Sequence, residues 1–271
     1  MRIVFKMMAA LLLLFALLSP ASASAAPFEF TPTAKAAFDK MTAAASKATA
    51  AKLTSQYAEL QRAQKLSIEW DAKIDQLHYR NEEEALAARQ RIREVDAAKL
   101  QRLQDELAQT KKKYEPLFAL YDSLRQQLSL AKSMKDKWLA GVLSPQVDTA
   151  KAAVQLAKLD IRSKEAALKK AKADAAKTMK KLRDMLAGAD PLKIKIKAAK
   201  SAAGNVKKQF QTEASILNRV VRKGDSTASL SSFARMLGYM KQINGERQKI
   251  YGYEQQIAGI IAKVNSQPGM K

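Results

Sequence analysis

The sequence has no cysteine, a single histidine, and only 9 glycines and 7 prolines in 271 residues. Without cysteine there is no disulfide, no thiolate metal centre and no lipid carried on a cysteine, so packing alone must hold the fold. One histidine falls short of the ligand set of a closed zinc site. Scarce glycine and proline, with no β-branched run that alternates over a useful length, argue against strands and tight turns. Alanine, lysine, leucine and glutamine dominate instead, all good helix formers. The expected fold class is all-α.

The amino terminus carries the pattern of an export signal. Arg2 and Lys6 supply a basic start, Met7 to Leu18 an apolar core of 12 residues, and Pro20 to Ala25 a small-residue exit. The core is shorter than the roughly 20 residues of a membrane-spanning helix, and Ala23-Ser24-Ala25 fits a cleavage motif. Cleavage after Ala25 is expected, leaving a soluble protein outside the cytoplasm, in the periplasm or at the cell wall.

Charge is the second bias. The whole chain has 48 Lys and Arg against 26 Asp and Glu. Removal of residues 1–25 leaves 46 against 26, a net charge of +20. Residues 26–116 hold 16 basic and 14 acidic groups, whereas residues 191–271 hold 15 and 4. The basic character therefore grows toward the carboxy terminus.

Hydrophobic spacing organises the rest. From Leu100, the positions Leu103, Leu107, Thr110, Tyr114, Leu117, Tyr121, Leu124, Leu128, Ala131, Lys135 and Trp138 step by three and four, which is a heptad seam. The phase passes Pro116 without slipping, so a kinked but continuous helix is predicted there. A second seam runs through Val147, Ala150, Val154, Ala157, Ile161, Lys164, Leu168, Ala171, Ala175, Thr178, Leu182 and Met185. Gly141 to Pro145 lies between the two and predicts the turn of an antiparallel hairpin, near residue 143. Gly188-Ala189-Asp190-Pro191 reads as a helix stop and start. A further pair follows, with seams from Leu192 to Val220 and from Met236 to Val264 and a turn near Gly224. Upstream, Trp70, Ile74, Leu77, Asn81, Ala85, Ala88, Ile92 and Val95 extend a less regular seam.

The predicted layout is a signal peptide (1–25), an extended lead (26–32), a long kinked helix (33–140) capped by Thr33, a return helix (146–187), a basic helix (191–223), a C-terminal helix (226–265) and a tail (266–271). A helix over 33–140 would be roughly 160 Å long at 1.5 Å per residue. The architecture this suggests is an elongated antiparallel coiled coil, helical hairpins forming a rod of two to three helices. A compact four- or five-helix bundle is the alternative.

Candidate sites are few. Ser129 and Lys132 match Ser-x-x-Lys, but they lie within a heptad run and its companion motifs are absent. His78 and Glu82 stand one helical turn apart, a spacing suited to a metal, without enough further ligands to close a site. No catalytic residue, cofactor or metal is expected. Glu213, Arg247 and Glu254 occupy seam positions, and folding the last two helices about Gly224 brings Glu213 near Arg235 as an inter-helix ion pair. Lys169, Lys170, Lys180, Lys181, Lys193, Lys195, Lys197, Lys207 and Lys208 fall in a stretch, Lys151 to Lys223, with 20 basic and 6 acidic residues. Such a stretch attracts polyanions without sequence preference. Nucleic acid is the disfavoured partner, because Phe210 is the only aromatic in the stretch and lies on the seam.

The function expected is that of a non-enzymatic, exported structural or adaptor protein of the bacterial cell envelope. Its partners would be anionic envelope polymers or an anionic membrane surface, with self-association or an unidentified protein partner through the seams. In its export signal, basic charge and long helical arms the chain also resembles, in general character, the tentacled periplasmic chaperones that carry outer-membrane proteins. That resemblance implies a holdase. It departs from those chaperones in lacking their β-stranded body, since Lys193-Ile194-Lys195-Ile196-Lys197 is the only alternating stretch.

Overall fold

The computed structural model describes residues 27–270; the export-signal expectation, residues 1–25, lies outside them. Among the described residues the chain is all-α, with six helices and no strand. These are α1 (Pro32–Ala44), α2 (Lys47–Arg93), α3 (Ala97–Ser133), α4 (Lys137–Ala187), α5 (Asp190–Arg222) and α6 (Ser226–Asn265).

The long helix expected over 33–140 is interrupted three times. It begins at a different cap: Thr31, with Pro32 just inside the helix, accepts from the Ala34 amide at 3.3 Å, rather than Thr33. Ala45 is extended and Ser46 starts α2 by accepting from the Thr49 amide. At 94–96 the chain turns through Asp96, which adopts a left-handed conformation (φ 56°) that Asp tolerates better than most residues. Neither break carries a glycine or proline, so no sequence punctuation marks it. The helix does continue through Pro116.

The third interruption moves the hairpin turn. The chain reverses at 134–136, not 141–145; Gly141 and Pro145 both lie inside α4. Lys135 takes φ 59°, the Asp136 amide donates to the Ala131 carbonyl at 3.0 Å and the Lys135 amide to the Lys132 carbonyl at 3.2 Å. This is the closure usually given to glycine at a helix end. Asp136 then caps α4, accepting from the Leu139 amide at 3.0 Å. These three hydrogen bonds outweigh the weak helix-breaking bias of one glycine.

The chain divides into two compact units. The first joins residues 27–74 to Lys197–Ile250, so it contains α1 and parts of α2, α5 and α6. Its core is Phe38, Met41, Leu53, Leu60, Leu217, Val221, Phe233, Met236, Met240 and Ile243. The lead seals it: Phe30 stacks on Phe38 at 5.1 Å between ring centres and meets Phe233 edge-on at 6.2 Å. Gly224 (φ 73°) makes the α5–α6 turn, where an L side chain would be strained, and Asp225 caps α6 through the Ala228 amide.

The second unit comprises Asp75–Ile196 and Tyr251–Lys271. Here α3 and α4 pack antiparallel. Tyr114 donates to Asp160 at 3.1 Å, Lys164 reaches Glu106 at 3.4 Å and Lys111 reaches Glu165 at 2.7 Å. The predicted seam positions of α3 from Leu100 to Ala131 are all covered, with Glu106 and Phe118 beside them, whereas Lys135 and Trp138 are exposed because the chain has already turned. The tail folds in as well: Met270 is buried, and Gly269 lies beside Val95 and Thr178.

Candidate functional site

Three arrangements gather polar chemistry. The first lies in the first unit, where residues of α2, α5 and α6 and the lead surround a cavity of about 220 Å³. Phe28, Ile68, Phe210, Met240 and Ile243 give it an apolar lining, and Gln64, Ser67, Asp71 and Arg247 a polar one. The polar groups largely satisfy each other. Arg247 donates to both oxygens of Asp71, at 2.5 and 2.6 Å, and also to the Ser67 hydroxyl. With its amide oriented to satisfy both partners, Gln64 pairs with the backbone N–H and C=O of Phe28. A planar guanidinium locked to a carboxylate by two bonds fixes register more than it offers a ligand a free charge. Lys207 also lines the cavity and makes no ion pair among the described residues.

The second arrangement is Glu213 on α5 with Ser232 and Arg235 on α6. Arg235 Nη2 donates to Glu213 Oε1 at 2.8 Å, and the Ser232 hydroxyl donates to the same oxygen at 2.6 Å. The hydrogen bond from Arg235 holds the Glu213 carboxyl below its usual range and raises Arg235, against the opposing effect of burial. The sequence-predicted pair Glu213 and Arg235 is thus in contact.

The third is in the second unit. Glu254 is buried on α6, and Asn81 of α2 donates to its Oε2 at 2.8 Å and to its backbone carbonyl at 2.9 Å. His78 Nδ1 approaches Glu254 Oε1 at 2.8 Å. His78 therefore faces Glu254 of α6, and among the described residues no group of three or more candidate metal ligands occurs. Glu82 instead accepts from Lys193 at 2.7 Å, and that bond lowers its carboxyl below the usual range. Ser129 and Lys132 are both exposed on α3 near the reversal.

The nine candidate lysines divide between the units. Lys169, Lys170, Lys180, Lys181, Lys193 and Lys195 belong to the second unit, and Lys197, Lys207 and Lys208 to the first. Lys193 is taken by Glu82, Lys180 lies 3.8 Å from Asp184, and Lys195 sits over the Tyr253 ring at 5.8 Å. Lys169, Lys170, Lys181, Lys197 and Lys208 are exposed and make no ion pair among the described residues.

Sequence reasoning missed the cavity and the partners of Arg247 and Glu254. Both residues stand out as charges on a seam, but Asp71 and Asn81 lie more than 170 positions away, where no local spacing reveals them. No family model matches the chain, and neither the curated proteins nor the solved structures include one significantly similar to it.

Proposed function

We propose that this chain is a non-enzymatic, exported structural or adaptor protein of the bacterial cell envelope that binds phosphate-rich anionic surfaces through its lysine faces. The observation that carries the reading is the uncompensated charge of Lys169, Lys170, Lys181, Lys197 and Lys208, which stand exposed without acidic partners among the described residues. Lysine held on a rigid helix raises the local concentration of a polyanion and releases its counterions on contact. The shared ligand chemistry is a dense array of phosphates, supplied by a wall polymer or by lipid headgroups.

Co-sedimentation tests this with two separate arms, teichoic-acid-bearing cell wall and vesicles of anionic lipid. Binding that weakens steeply with salt, and weakens again in the K169Q/K170Q/K181Q variant, is expected in at least one arm. Absence of binding to both at low salt removes the reading. The proposal also takes the chain as an elongated antiparallel coiled coil, for which small-angle scattering is the test; a compact bundle profile overturns it.

A second reading, an extracytoplasmic holdase, draws on Leu120, Leu156 and Leu159, large apolar side chains left exposed along the hairpin arms. Suppression of client aggregation at near-stoichiometric ratio, lost when these three are changed to Ser, would favour it over the adaptor.

A further inference from the structure

The reversal between α3 and α4 is well folded yet apolar on its outside. Leu130 is 60% exposed, Met134 71% and Trp138 77%, and Leu139 and Val142 are exposed as well. A loose loop does not explain this, because the turn is closed by backbone bonds and its inner side is covered: Ala131 and Leu143 are buried. Trp138 precedes Leu143 by five residues, about 140° around a helix, so the packing that buries Leu143 directs Trp138 outward. Monomeric proteins rarely leave clustered large apolar side chains uncovered, and such clusters mark contact surfaces.

Charge identifies what the surface meets. Lys132, Lys135 and Lys137 are exposed among these side chains and make no ion pair among the described residues. The one carboxylate of the turn, Asp136, is engaged as the cap of α4. The tip therefore offers a tryptophan, flexible aliphatic side chains and three long cations within one reversal. Tryptophan favours the boundary between headgroups and acyl chains, and lysines there extend to anionic headgroups. A second copy's tip would bring like charges together. No helix among the described residues is long and apolar enough to cross a membrane, so the contact is a shallow one.

We infer that the α3–α4 tip docks on the surface of an anionic bilayer, with Leu130, Met134 and Trp138 in the interfacial layer and Lys132, Lys135 and Lys137 on lipid phosphates. This site shares no residue with the lysine faces proposed above and stands if those faces bind nothing.

The test uses the full chain carrying Trp70→Phe, which leaves Trp138 the only tryptophan. It is mixed with vesicles of phosphatidylglycerol and phosphatidylcholine, or of phosphatidylcholine alone. A blue shift of Trp138 emission, with quenching by brominated acyl chains, is expected on the anionic vesicles only. The readout is local to the tip, so attachment through another segment leaves it unmoved. L130S/M134S should abolish the shift without altering helicity or Tm, since both side chains are exposed. K132Q/K135Q/K137Q should raise the half-saturating lipid concentration at least tenfold, whereas K169Q/K170Q/K181Q should leave the Trp138 shift in place. Unshifted emission on anionic vesicles, an equal shift on phosphatidylcholine alone, or a shift produced by protein self-association without lipid would each overturn the proposal.

Discussion

The first unit and the α3–α4 hairpin both place leucines on their covered faces and bury them to different depths. In the first unit Leu53, Leu60, Leu217, Phe233 and Met236 are completely covered. On α3 the seam residues Leu103, Leu117, Leu124 and Leu128 are half-buried, and Ala131 alone is fully buried. A seam specifies which side of a helix is covered. How deeply it is covered depends on how many neighbours surround it, and that is a property of the assembly.

The sharpest way to break this comparison is to truncate one side chain in each region. Phe233→Ala should cost about 3–5 kcal/mol, as a large side chain removed from a closed core. Leu124→Ala should cost roughly 1 kcal/mol, since only part of its surface leaves water on folding. Urea denaturation of the two variants measures both, and equal losses would erase the distinction.

Next in size is the buried carboxylate of the second unit. Asn81→Leu removes both hydrogen bonds to Glu254 while filling the space, and should cost about 2–3 kcal/mol because a buried acceptor is left short of donors. Adding Glu254→Leu to Asn81→Leu should recover part of that loss in thermal unfolding. No recovery would show that the interaction is not what Asn81 contributes.

The Glu213 site sharpens the comparison through pH. Its carboxyl titrates below the ordinary range when folded, so its stabilisation is fully present above the ordinary carboxylate pKa and fades as pH falls through the lowered one. Glu213→Gln should therefore be less stable than the parent at neutral pH, with the gap narrowing in acid. A gap constant from pH 7 to pH 3 would show that the ionised pair contributes nothing.

The smallest effects belong to the hairpin turn. Gly141 lies inside α4 with open space where a Cβ would go, so Gly141→Ala should stabilise by about 0.5–1 kcal/mol. Lys135→Gly relieves a left-handed lysine but loosens the unfolded chain, so its gain should be a few tenths of a kcal/mol. If the turn lay at 141–145 instead, Gly141→Ala would destabilise.

Local rules read the helix faces well and the helix ends poorly. Val147, Ala150 and Val154 on α4, or Met236, Met240 and Ile243 on α6, are covered where the three-four spacing puts them. The reversal at 134–136 was hidden because a lysine occupies the glycine-like position while Gly141 offers a false signal nearby. The breaks at 45–46 and 94–96 were hidden because neither contains a residue that ends helices by itself. Of the candidate sites, the Glu213–Arg235 pair followed from folding two adjacent helices about Gly224. The exposed tip did not, since Trp138 fits the seam phase and is uncovered only because the chain turns earlier.

By itself the sequence determined the all-α class, the covered faces of α3 to α6 and of α2 beyond Trp70, and the excess of lysine over acid, because these depend on composition and on a period fixed by backbone geometry. The tertiary structure decided where the helices stop, which distant partners meet Arg247 and Glu254, and which apolar side chains stay in water. The partners and the uncovered side chains depend on residues that are remote in the chain and adjacent only after folding, whereas the helix ends at 45–46, 94–96 and 134–136 rest on local closures that no glycine or proline marks.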